Sequence, residues 1–366
     1  MVKEKVCRSA MTNSFIEINS IGERLERRLA DSGGPKTVDQ AIWTLADRIR
    51  LERTVACGDG GRGFSQPALD YTAIGAGEMP GILGKTRITL EMIRWEHSIF
   101  ALPFALTATM LAGGGHPGWR SLAWIVAAMV AARSAAMAFN RWADADLDAA
   151  NPRTRGRAIP AGLLSRAFVL GFTGVAVAVF LVAAAELNRL TLELAPVVLV
   201  VLLGYSYLKR FTRWSHLGLG VALGLAPSAA WIAVRGVLDP RIVVLTAAVT
   251  MWAAGFDVLY SCQDTEHDRA AGLHSLPQAA GLKAAFWAAR LMHLAMLGLL
   301  AWFARLFDFG LLGWLGVGAV ALLLAYEHSL VSPRDLRRLN AAFFTMNGVI
   351  AMVFLGFVAA DVWLRQ

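Results

Sequence analysis

The sequence is short of cysteine and of charge. Cys7, Cys57 and Cys262 are the only three cysteines in 366 residues, and their spacing offers neither a disulfide framework nor a zinc site. Charged residues make up 17% of the chain, against about 25% in soluble domains. That is too little polar surface to coat two soluble domains, which the length alone would allow. Residues 1–85 also lack an apolar run of spanning length and a signal-peptide core. What is plentiful is apolar surface, at 56% of residues with a mean hydropathy of +0.51. Disorder is excluded for most of the chain by the same composition. These numbers describe an integral membrane protein.

Apolar runs long enough for a bilayer core, roughly 17–25 residues, fall near 96–113, 119–140, 166–187, 191–208, 216–235, 241–262, 284–306, 309–328 and 341–363. Within lipid only helices or closed barrels satisfy the backbone. These runs are too long and continuous for barrel strands. The expectation is an all-α bundle of nine transmembrane helices around a central, cytoplasm-facing cavity.

Cations set the orientation. Lys85, Arg87 and Arg94 precede the first run; Arg153, Arg155 and Arg157 follow the second; Lys209, Arg210 and Arg213 follow the fourth. Arg269 and Lys283 follow the sixth, and Arg334, Arg337 and Arg338 the eighth. The positive-inside bias places the N-terminus and these loops in the cytoplasm. Topology therefore accounts for the net charge of +8, and nucleic acid is not needed as a partner.

The chain divides into a polar extension, 1–85, and a membrane domain, 86–366. Two weak amphipathic patterns in the extension, Phe15 to Leu29 and Val38 to Ile49, each predict a short helix, and Gly58–Gly63 reads as a loop. Neither builds a core. The extension is expected to be disordered, or to lie upstream of a true start at Met79.

Acidic residues at membrane helices mark function by default, and two clusters stand out. At the end of the second run Asn140, Asp144 and Asp148 lie at i, i+4 and i+8, one stripe on a continuing helix. Asp146 falls about 200° away and points elsewhere. The second cluster ends the sixth run, where Asp257, Asp264 and Asp268 share a face at i, i+7 and i+11. Either cluster alone is also read as an ordinary set of helix-end salt bridges. Matched in spacing and side, Asp144, Asp148, Asp264 and Asp268 converge on one aqueous cavity.

Four carboxylates cannot stay ionised together without cations. Magnesium suits them, as a hard ion that takes one or two carboxylates and completes its shell with water and phosphate oxygens. The lack of His and Cys ligands argues against zinc or copper, and His267 and His274 read as solvated loop residues. Arg153 and Arg157 in the following loop, with Lys209 and Arg210 after Tyr205 and Tyr207, suit a diphosphate. Arg133 sits inside the second run on the Asn140 stripe. It either pairs with an internal carboxylate such as Asp257 or contacts an anionic substrate.

These residues resemble the UbiA superfamily of membrane prenyltransferases, whose signatures are an Asn-x-x-x-Asp-x-x-x-Asp run and a second Asp-x-x-x-Asp run. The likeness covers about 90–363 and includes Ile159-Pro160-Ala161-Gly162 and Tyr205–Thr212. The stretches Gly255–Asp264, Tyr326–Val331 and Asn340–Phe344 are similar to the 4-hydroxybenzoate polyprenyltransferase-like members, including the MqnP-like branch of menaquinone synthesis.

The resemblance implies transfer of a polyprenyl group from an allylic diphosphate to an aromatic acid, 4-hydroxybenzoate or a dihydroxynaphthoate, in ubiquinone or menaquinone synthesis. It further implies two Mg²⁺ held by Asp144, Asp148, Asp264 and Asp268, with Asn140 orienting the diphosphate and Lys209, Arg153 and Arg157 neutralising it. Asp257 and Tyr260 would line the aromatic pocket, and Arg94 or Arg133 would hold the acceptor carboxylate. The setting is a multi-pass protein of the bacterial inner membrane, with its substrates and the bilayer as partners and no protein partner. Competing readings are a transporter using intramembrane carboxylates and a prenyltransferase for haem or chlorophyllide.

Overall fold

The computed structural model describes residues 82–93, 100–336, 339 and 346–365. The extension and its two amphipathic patterns lie outside the described residues, apart from the last few positions. So do Arg94, Arg337, Arg338 and the Asn340–Phe344 string.

Among the described residues the secondary structure is helical, and Ser332 with Asp335 forms only an isolated bridge. The helices are α1 (Ile82–Ile93), α2 (Leu102–Ala112), α3 (Trp119–Ala143), α4 (Ala145–Ala150), α5 (Arg166–Leu187), α6 (Arg189–Leu208) and α7 (Ser215–Arg235). They continue as α8 (Pro240–Ser261), α9 (Thr265–Ala270), α10 (Leu276–Leu306), α11 (Leu311–Leu330) and α12 (Asn347–Leu364). A 3₁₀ turn, Cys262–Asp264, links α8 to α9.

Eight helices are long and apolar enough to cross a membrane: α3, α5, α6, α7, α8, α10, α11 and α12. They coincide with eight of the nine expected runs. The first run differs. Its described part, α2, has 11 residues, and at 1.5 Å each that is only about 16 Å. α2 is nonetheless core, because Phe104, Ala105 and Ala108 are fully buried. α1 was not expected from the sequence. It buries Ile88, Met92 and Ile93 against Ala138 of α3 and Ala158 of the loop after α4, beside the first acidic cluster.

Local chemistry explains the helix ends. Ser165 caps α5 by accepting from Phe168 N at 3.1 Å. Asn188 accepts from Thr191 N at 2.9 Å and donates to Ile232 O at 2.8 Å. One side chain thus starts α6 and closes α7. The start of α11 is capped from another helix: Asp361 of α12 accepts from Gly310 N at 3.0 Å and Gly313 N at 3.1 Å.

α8 is the most enclosed of the spanning helices and α6 the least. α8 packs chiefly on α7 and α10. The α7 contact depends on small residues, since a Cβ at Gly220 would sit 2.5 Å from Thr250 O, so the two backbones approach closely. Phe104, Trp252, Phe256 and Phe354 join α2, α8 and α12, with ring centroids 5.0–5.7 Å apart for the Phe104–Trp252, Trp252–Phe256 and Phe104–Phe354 pairs. α10 bends at Gly281, whose φ of 83° is left-handed, so its first turn is set off from the long remainder.

Candidate active site

Asp144 ends α3 and opens α4, yet the backbone ladder runs through it. Asp144 N bonds Asn140 O at 2.9 Å and Asp148 N bonds Asp144 O at 2.8 Å. The Asn140–Asp144–Asp148 stripe therefore survives the break. Asn140 Nδ2 donates to Asp144 Oδ2 at 3.1 Å. Asp146 points elsewhere as expected, is exposed, and pairs with Arg166.

The second cluster departs from the continuous helix that the i, i+7, i+11 reading requires. The Cys262–Asp264 turn tightens the backbone between Asp257 and Asp268. Its side chains support this by bonding back to carbonyls: Ser261 Oγ to Val258 O at 2.8 Å and Thr265 Oγ1 to Cys262 O at 3.0 Å. Asp264 and Asp268 then sit on either side of the start of α9.

Cations and an amide tie the two segments together. Arg153 grips Asp264 with Nε to Oδ1 at 2.8 Å and Nη2 to Oδ2 at 2.5 Å, while Nη1 donates to Tyr260 Oη at 3.1 Å. Asn151 Nδ2 adds a bond to Asp264 Oδ1 at 3.2 Å. Arg157 pairs with Asp148 at 2.6 Å, and its charge also acts on Asp264. Lys209 Nζ lies 3.4 Å from Asp144, and its charge also acts on Asp268. Arg210 reaches Ala143 O at 2.6 Å and Asp144 Oδ1 at 3.3 Å. A backbone bond, His274 N to Lys209 O at 2.7 Å, fixes the exit of α9 against the end of α6. Burial works to lower the Arg153 pKa, but its hydrogen bonds to Asp264 and Tyr260 and the Asp264 charge outweigh this and raise it above the usual arginine value.

Deeper in the bundle, Tyr205 sits among charges. Arg133, Arg141, Asp257 and Asp144 all act on it electrostatically. Among the described residues no carboxylate pairs with Arg133, and its Nε is buried without a hydrogen-bond partner. The pairing of Arg133 with Asp257 is therefore not formed. Asp257 Oδ2 instead lies 2.7 Å from His216 Nδ1. His216 Nε2 accepts from Leu276 N at 3.3 Å, so the ring carries its proton on Nδ1 and donates it to Asp257.

Sequence reasoning missed His216 and Asn151. Asn151 had a signal, since it sits three residues past Asp148 and before Pro152. His216 had none, because its partner lies 41 positions away.

The donor set fits a hard divalent cation. Asp148 Oδ2 is buried with no hydrogen-bond partner, and the candidate ligands are carboxylates rather than His or Cys. Among the described residues no three such groups meet at one point. That suits ions held by one or two carboxylates each and finished by phosphate oxygens.

The pattern of the UbiA prenyltransferase family matches residues 101–349. The chain is 34% identical over 256 residues to a 4-hydroxybenzoate octaprenyltransferase from Cupriavidus necator, covering 70% of this chain and 89% of that protein. Its fold is similar to the structure of a UbiA homolog from Aeropyrum pernix K1, with a TM-score of 0.67, 30% identity and coverage of 73% of this chain and 98% of that one. A UbiA homolog from Archaeoglobus fulgidus bound to DMAPP and Mg²⁺ shares the fold at a TM-score of 0.59 and 17% identity, over 75% of this chain and 99% of that one. With most of its membrane domain covered by the family pattern and by a relative matched over 89% of its own length, this chain belongs to the UbiA prenyltransferase family and is a polyprenyltransferase.

Proposed function

We propose that the protein transfers a polyprenyl group from an allylic diphosphate to a phenolic aromatic acid, 4-hydroxybenzoate or a dihydroxynaphthoate, in quinone synthesis at the cytoplasmic membrane. The N-terminal side and the loops after α3, α6, α8 and α11 face the cytoplasm. The observation that carries this reading is the Arg153–Asp264 bridge, which draws the arginine loop of the first acidic segment onto the second. The named relative acts on the same class of acceptor.

Asp144, Asp148, Asp264 and Asp268 would hold Mg²⁺, which when bound supplies electrophilic assistance to the departing diphosphate. Asn140 orients the diphosphate through the amide that now contacts Asp144. Lys209, Arg210, Arg153 and Arg157, which here neutralise the carboxylates, stand ready to take phosphate oxygens as charge develops on the leaving group. Arg133, two helical turns deeper than Asn140, receives the acceptor carboxylate, and Asp257 and Tyr260 line the ring pocket. The surrounding helices keep water from the allylic cation.

The test is prenyl transfer by membranes containing the full chain, given Mg²⁺, a radiolabelled allylic diphosphate and each acceptor separately. Product with one acceptor, absent with Asp144→Ala and on chelation, is expected. Product with neither acceptor, from protein shown to be present and folded, overturns the reading.

A further inference from the structure

We infer that α10 carries a binding site for an anionic phospholipid at the cytoplasmic face of the membrane, with Arg290 holding the lipid phosphate beside the Trp287 ring. The site lies outside the acidic clusters and takes only its orientation from the transferase reading above.

Beyond the bend at Gly281, Lys283, Trp287, Arg290, Leu291 and Leu294 fall at i, i+4, i+7, i+8 and i+11, on one face of α10. Lys283 is exposed. Trp287 is 62% exposed, and Leu291 and Leu294 are each 63% exposed. Along the helix the order is cation, aromatic ring, cation, then leucine. A phospholipid matches that order, with its phosphate at the membrane edge and its acyl chains below.

Arg290 departs from an ordinary apolar span. Its guanidinium lies 5.1 Å from the centroid of the Trp287 ring, and among the described residues no carboxylate pairs with it. Glu327, on the neighbouring α11, is turned into the core at 2% exposure. A guanidinium in a membrane helix requires an anion, and here the protein does not supply one. Its planar fork takes two phosphate oxygens at once, and a tryptophan ring favours the level of the headgroups.

A histidine pair sets the depth. His293 Nε2 donates to Trp252 O at 3.3 Å, which leaves Nδ1 to accept from His328 Nε2 at 2.9 Å. α10 is thereby pinned to both α8 and α11. Arg290 stands one turn before His293, about 4.5 Å along the axis. α11 ends at Leu330, about 3 Å past His328. The two helices run antiparallel, so Arg290 is level with the end of α11, where the chain leaves the membrane. Lys283, about 10 Å farther out, adds to the field that draws acidic headgroups.

The experiment uses the purified full chain in detergent without substrates, so its outcome is independent of whether transfer is observed. Native mass spectrometry measures retention of phosphatidylglycerol and phosphatidylcholine with the same acyl chains, offered as an equal mixture. Selective retention of one phosphatidylglycerol per chain is expected. Arg290→Gln weakens that retention about fivefold, the scale of one basic residue at an anionic surface. Trp287→Leu, which keeps the charge, weakens it as well. Arg120→Gln, which loses an arginine already paired with Glu186, leaves it unchanged. The melting temperature rises with phosphatidylglycerol and not with inorganic phosphate. Equal retention of the two lipids, or Arg290→Gln at wild-type retention, overturns the inference. Inorganic phosphate that matches phosphatidylglycerol also overturns it, by making the site one for free phosphate. If Arg290→Gln does not accumulate, Trp287→Leu measured beside Arg120→Gln decides.

Discussion

Arg153 and Asp264 are 111 positions apart in the chain and meet in a two-point contact, 2.8 and 2.5 Å. The planar fork of the guanidinium matches both carboxylate oxygens at once. Among the described residues no other pair joins the two acidic segments by two charged bonds. The Tyr260 ring, with the Arg153 guanidinium 5.4 Å from its centroid, holds the same arginine from the α8 side.

Arg153→Ala is expected to lower kcat/KM by about 10²-fold, near 2.7 kcal/mol of transition-state stabilisation, because Asp264 loses its fork and the loop its anchor. Arg153→Lys restores charge without the second bond and recovers only part. Steady-state transfer kinetics decide it.

The pH dependence follows from the same bridge. The folded-state pKa of Arg153 is raised, so its contribution is complete below the unfolded value and is lost only as pH rises past the folded one. Both lie above the working range, so no inflection from Arg153 falls between about pH 6 and 9. A pH profile of Arg153→Lys that overlays the wild type in shape, at lower amplitude, is the expected result.

Asp148 Oδ2 is the orphaned buried oxygen of the set. Asp148→Asn removes the charge a divalent ion needs while keeping the shape. Transfer should drop by about 10³-fold, the scale of losing an electrostatic partner at a reacting centre, and the residual activity should need more Mg²⁺. Titration of activity against Mg²⁺ measures both.

Arg133 separates acids from neutral analogues. Wild-type enzyme should prefer 4-hydroxybenzoate over 4-hydroxybenzamide by tenfold or more, about 1.4 kcal/mol. Arg133→Gln should erase that preference by raising KM for the acid alone. Equal preference in the two proteins would place the carboxylate elsewhere.

Asp361 gives a stability change remote from chemistry. Asp361→Ala uncaps α11 and strips a buried acceptor from Gly310 N and Gly313 N, costing about 1–3 kcal/mol. A lower melting temperature in detergent with unchanged kcat at low temperature is expected.

Long apolar runs carried eight helix positions into the structure within a few residues, because lipid leaves the backbone few alternatives. The Asn140, Asp144 and Asp148 stripe was equally legible, since its i−4 bonds persist across Asp144. What sequence spacing did not show is the 3₁₀ turn at Cys262–Asp264 inside the second cluster, supported by side-chain bonds at Ser261 and Thr265. α1 and the short α2 escaped notice because neither is long enough to stand out as a spanning run. His216 escaped because a buried histidine is defined by partners that spacing does not bring near.

The bond from His274 N to Lys209 O joins the exits of α9 and α6 through main-chain atoms alone. Scanning either position with alanine leaves both atoms in place, so this strut is silent in any survey built on side-chain truncation. Proline at 274 removes the donor, and Lys209, whose Nζ lies 3.4 Å from Asp144, would then be misplaced while its own charge stayed intact.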